Sequence, residues 1–81
     1  MRELIDWLKK HQQDEGLKDA DYAAKFGIAR ERWLAIKANP RKLGDKTLGL
    51  ILLAYKDTRF YKELKELVII FLEEKITTGN K

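Results

Sequence analysis

The stretch Ala23-Ala-Lys-Phe-Gly27-Ile-Ala-Arg30-Glu-Arg-Trp33-Leu-Ala-Ile36-Lys37 decides how this chain is read. A small residue, Ala23, stands four positions before Gly27. Apolar residues follow the glycine at Ile28, Trp33 and Ile36. This pattern predicts two short helices joined by a sharp turn. The small residue lets the second helix cross closely over the first. Gly27 supplies the left-handed backbone conformation that the turn needs. Tyr22, Phe26, Ile28, Trp33 and Ile36 are the residues expected to hold the pair against the body of the domain.

Working outward, the rest of the chain also has helical periodicity. A first helix is expected over 3–13, from Leu4, Trp7, Leu8 and His11 with Ile5 at the edge of the stripe, closed by Gly16. The second, over 19–26, has Asp19 and Asp21 in its first turn, where the helix dipole favours negative charge. The third, over 30–38, ends at Asn39-Pro40, because a residue before proline is driven out of the helical region. A basic loop, Arg41-Lys42, follows. A fourth helix is expected over 46–56 with Asp45 as its N-cap, and a fifth over 59–76 with Asp57 or Thr58 as its cap. The fold class predicted is all-α, a compact five-helix domain over 1–81 with a helix-turn-helix formed by helices two and three. Its expected core is Leu4, Leu8, Tyr22, Phe26, Trp33, Ile36, Leu48, Ile51 and Leu52.

Charge points to the same segment. The chain of 81 residues has a net charge of +4. Residues 29–42 hold five cations, Arg30, Arg32, Lys37, Arg41 and Lys42, against the single carboxylate Glu31, which already makes +4. A clustered basic stripe suits a polyanion; charge alone favours a solvated helix face.

Ala23, Gly27, Ile28, Trp33 and Ile36 stand in the register favoured by the Cro/repressor family, and the segment resembles that XRE-like helix-turn-helix pattern. The likeness runs on into Arg41-Lys42 and Thr47-Leu48, and covers about half of the chain, from Leu17 to Tyr55. It departs from the family where Lys18 and Ala29 stand in place of the Ser or Thr that usually caps the two motif helices, and where Leu34 takes an outward position expected to be polar. The resemblance implies sequence-specific binding of double-stranded DNA by a repressor-like transcriptional regulator, with the recognition helix, about 30–38, in the major groove. It implies that Arg30, Glu31 and Ala35 face base edges, and that Lys18, Arg32, Arg41, Lys42 and Lys46 contact phosphates. Asp19 and Asp21 would oppose a phosphate unless Lys18 and Lys25 offset them.

Other chemistries find little support. Cysteine and serine are absent and His11 is the only histidine. The commonest nucleophiles and a histidine metal site are thereby missing, and neither enzymatic activity nor a cofactor, metal or small-molecule substrate is expected. The carboxylate pairs Asp14-Glu15 and Glu73-Glu74 read as solvated charges. The longest apolar run, Leu67 to Leu72, is too short to span a bilayer, and the N-terminus lacks a signal-peptide pattern, so a cytoplasmic protein is expected. The fifth helix has more apolar positions than one face needs. A homodimer is therefore expected, with Leu67, Ile70 and Phe71 at its interface; the alternative is that the fifth helix merely caps the monomer core, with Ile69 and Ile70 partly exposed. The competing reading is a protein–protein interaction module on the same fold, without DNA binding.

Overall fold

Apolar residues recurring every three or four positions are realised as helix throughout. The structure, a computed structural model, describes residues 2–79, with side chains described for residues 2–76. In chain order it has α1 (Glu3–Asp14), α2 (Asp19–Lys25), α3 (Arg30–Ala38), a 3-10 turn (Pro40–Lys42), α4 (Asp45–Ala54) and α5 (Tyr61–Gly79). No strand occurs among the described residues, and the five-helix, all-α architecture is the one expected.

Glycine sets both early turns. Gly16 and Gly27 have φ of +68° and +73°, the left-handed region. After α2, Ile28 N donates to Ala23 O (3.1 Å) and Gly27 N to Ala24 O (3.0 Å), a paired closure that satisfies two carbonyls at the helix end. After α1, Leu17 N and Gly16 N donate in the same way to Gln12 O and Gln13 O. The turn between α2 and α3 therefore costs few unpaired backbone groups, and α2 and α3 pack on each other as a helix-turn-helix.

Several boundaries differ from expectation. Gly44, not Asp45, is the N-cap of α4, and Asp45 is its first residue, where its charge meets the positive end of the helix dipole. α4 ends at Ala54 and α5 begins at Tyr61. The chain between them turns around Thr58, whose hydroxyl donates to Tyr55 O (2.8 Å) and accepts from Phe60 N (3.2 Å). The stretch 40–42 forms a 3-10 turn instead of a loop. Asn39 Oδ1 caps it by accepting from Arg41 N (3.1 Å), and Pro40 suits its first position because no N–H is needed there.

The core draws on every α-helix. Leu4, Ile5 and Leu8 of α1, Tyr22 and Ala23 of α2, and Trp33 and Ile36 of α3 are buried, as are Leu48 and Ile51 of α4 and Leu64, Val68 and Phe71 of α5. Leu52, expected inside, is only half-buried. Ile5, at the edge of the α1 stripe, and Leu43, after the basic turn, are fully buried. α5 closes the bundle against α1 and α4. No helix among the described residues is long and apolar enough to cross a membrane.

Candidate nucleic-acid interface

α3 is held from below by two side chains. Trp33 and Ile36, three residues apart, are fully buried. At 100° per residue, that anchoring turns Glu31, Ala35 and Ala38 away from the core and sets Arg30 and Arg32 on opposite shoulders. Arg30, Glu31 and Arg32 are exposed, while Leu34 and Ala35 are half-buried. The expected base-facing trio thus divides: Glu31 and Ala35 lie on the outer row, and Arg30 stands on its flank.

The rotation of α3 is fixed by a residue that the sequence did not single out. Gln12 of α1 accepts from Trp33 Nε1 with its Oε1 (2.9 Å) and donates from Nε2 to Leu17 O (3.1 Å) and Asp19 Oδ1 (3.0 Å). The same Asp19 oxygen accepts from Lys37 Nζ (2.6 Å). One glutamine therefore ties the end of α1, the start of α2 and the buried side of α3 together. Helical periodicity gave no signal for it, because glutamine is neither apolar nor charged and its partners are remote in sequence.

The ion pairs separate structural from available cations. Lys37 is bound to Asp19, and Lys25 to Glu15 (2.6 Å). Lys25 thus does not offset Asp19, as was expected of it; Lys37 does. Among the described residues, Lys18, Arg30, Arg32, Arg41, Lys42 and Lys46 are exposed and make no ion pair. Arg41 and Lys42 project because the residues on either side of them, Pro40 and Leu43, are buried and pin the turn. Lys75 Nζ also donates to Leu43 O (3.1 Å), bracing that turn from α5. Arg32 and Lys46 share a shallow hollow with Gly27, Ala29 and Thr47, at the start of α3. Ala29, the N-cap of α3, offers no side-chain hydrogen bond, and neither does Lys18 at α2. The first N–H groups of α3 thus receive no side-chain cap, and Ala29 lines the hollow together with the Arg32 guanidinium and the Lys46 ammonium.

Behind this face lies a second polar chain. Tyr22 Oη donates to Tyr55 Oη (2.9 Å), Tyr55 Oη donates to Glu15 Oε2 (2.8 Å), and Lys25 lies over the Tyr55 ring, 4.4 Å from its centre. Glu15 is therefore a bound carboxylate and not the solvated charge expected. Partial burial pushes its pKa up, but the hydrogen bonds from Lys25 and Tyr55 outweigh this and hold it below the ordinary value. Asp19 is held low by its hydrogen bonds from Lys37 and then Gln12. Burial raises both tyrosines, so their hydroxyls stay protonated donors.

The residues expected at a dimer interface fare unevenly. Phe71 belongs to the core of the monomer and is 1% exposed, so it cannot meet a partner. Leu67 is half-buried against that core. Only Ile70 is exposed, at 45%. The apolar excess of α5 was legible in the sequence; the rotation of the helix, which decides which residues carry it, was not. No cluster of three potential metal ligands occurs among the described residues.

Comparison of the chain with protein-family models, with curated proteins and with solved structures returned no match.

Proposed function

We propose that this chain is a cytoplasmic, non-enzymatic, repressor-like transcriptional regulator that binds double-stranded DNA with sequence preference, α3 lying in the major groove and two copies reading two half-sites. The observation that carries the reading is the set of unpaired, exposed cations around α3: Arg30 and Arg32 at its start, Arg41 and Lys42 just past its end, Lys46 across the hollow. Nearby Lys25 and Lys37 differ in that each already holds a carboxylate, Glu15 and Asp19, at 2.6 Å.

The roles divide by chemistry. Arg30 donates a bidentate pair to guanine, or is steered by Glu31 to a neighbouring acceptor. Ala35 offers a methyl-sized apolar contact, suited to thymine. Arg32 and Lys46 clamp one phosphate at the start of α3, helped by its free N–H groups. Arg41 and Lys42 hold a second at its far end, and Lys18 a third beside α2.

Selection of bound sequences from random duplex DNA, followed by titration of the selected site, tests this. Arg30→Ala should reduce discrimination at one base pair by about 1–3 kcal/mol. Lys42→Ala should weaken selected and random DNA alike. No duplex binding at low salt would overturn the proposal and favour a protein-binding module, a reading supported by the outer row of α3, where Ala35 and Ala38 replace polar readers.

A further inference from the structure

A hollow of about 550 Å³ lies between α1 and the start of α5. Trp7, Lys10, His11 and Asp14 line it from α1, at the spacing that puts them on one helix face. Arg59 and Phe60 line it from the chain entering α5. No residue of α2, α3 or the 3-10 turn lines it, so the hollow is separate from the surface proposed for DNA. Its walls are aromatic. The Trp7 and His11 rings stack with centres 3.8 Å apart and planes 33° from parallel. Phe60 meets His11 edge-on, with centres 4.6 Å apart. All three rings are half-buried, so each keeps surface in water. Among the described residues His11 has ring neighbours but no hydrogen-bond partner. Open ring surface of this kind suits a planar apolar guest.

Charge selects the guest. Two carboxylates on the hollow are already used. Glu63 accepts from Trp7 Nε1, and Glu15 accepts from Tyr55 Oη and pairs with Lys25. Lys10 and Arg59 are exposed and hold no carboxylate among the described residues. Asp14 is then the one uncommitted carboxylate against two cations. The Arg59 guanidinium lies over the Phe60 ring, 5.1 Å from its centre, so cation and ring are presented together. We propose that the hollow binds a small aromatic carboxylate, its ring against Trp7, His11 and Phe60 and its carboxylate on Arg59 and Lys10. The planar fork of arginine matches the two oxygens of a carboxylate. The volume falls in the range of small-molecule sites. An aromatic cation would meet Lys10 and Arg59 as like charges. A carboxylate without a ring would leave the aromatic surface in water. The ligand is held and not transformed.

Trp7 serves as the reporter. The chain has two tryptophans, and Trp33 is fully buried with its indole on Gln12. Proton–nitrogen correlation spectra of the full chain show one indole signal for each, and Trp7→Phe assigns them. Titration with benzoate, without DNA, should shift the Trp7 indole signal and the Phe60 amide saturably. The Trp33 indole signal should stay in place. A dissociation constant of roughly millimolar order is expected for so small a ligand. Acetate lacks the ring and benzylamine carries the opposite charge, so each should bind about tenfold more weakly or worse. Arg59→Ala should weaken benzoate binding several-fold, and Arg59→Lys by less. Both variants should keep the parent's circular dichroism, since Arg59 is exposed. Absence of a saturable shift, equal shifts at both indoles, or benzylamine binding as tightly as benzoate would each overturn the proposal. So would an Arg59→Ala protein that binds benzoate like the parent. Each of these results leaves the DNA reading untouched, because the titration contains no DNA.

Discussion

Gln12 looks unremarkable in sequence, yet its carboxamide meets Trp33, Leu17 and Asp19 at 2.9–3.1 Å. Gln12→Ala leaves the indole N–H of Trp33 without its acceptor, and an unmet buried donor costs about 1–3 kcal/mol. Urea denaturation should register that loss, and an unchanged midpoint would show that Gln12 does not hold α3. The carboxylates nearby give a pH signature. Asp19 and Glu15 both have pKa values lowered by folding. Their stabilising contribution is therefore complete at neutral pH and is lost as the pH falls through the ordinary carboxylate range toward the lowered values. The urea midpoint of the parent should fall between about pH 5 and pH 2. Asp19→Asn should start lower at neutral pH and fall less on acidification. Equal slopes for both proteins would dissociate Asp19 from the acid response.

Two elements can be tuned in opposite directions. α3 starts at Ala29, whose extended backbone (φ −72°, ψ 151°) suits an N-cap but whose side chain cannot accept a hydrogen bond. Ala29→Ser should stabilise the domain by about 1 kcal/mol. For a domain of this size that raises the melting temperature by roughly 4–8 °C. The turn before α3 has no such slack. A Cβ on Gly27 would meet nothing within 4 Å, so space is not the constraint; its φ of +73° is. Gly27→Ala should therefore cost about 1–2 kcal/mol, through backbone strain alone. Thermal melting of both variants checks the pair. A Gly27→Ala protein as stable as the parent would mean that the turn does not need the left-handed conformation.

For the whole molecule, the proposed phosphate contacts set how binding responds to salt. Five cations in each of two copies, Lys18, Arg32, Arg41, Lys42 and Lys46, would give a slope of about −9 for log affinity against log salt if all engage. Removing Lys42 from both copies should flatten that slope by about 2. Isotherms at several salt concentrations measure both. A slope near zero would show that the basic surface is solvated and idle. Such a result would leave the fold intact, since none of these five side chains is buried.

The sequence by itself determined the helix count, the glycine turn at Gly27 and most of the inward residues. Each of these is a local property, encoded by apolar spacing, by a glycine at the point of reversal or by the Asn39-Pro40 break. The basic cluster was equally legible, because Arg30 to Lys42 lie within one short segment. The tertiary structure alone decided what depends on one element's rotation against another. It assigned Lys37 and Lys25 to Asp19 and Glu15, and left Lys18, Arg30, Arg32, Arg41, Lys42 and Lys46 in solvent. It buried Leu43 and so turned Arg41 and Lys42 outward. It rotated α5 until Phe71 entered the core and Ile69 and Ile76 remained outside. A helix with apolar residues on several sides admits more than one rotation, and only packing against α1 and α4 selects among them.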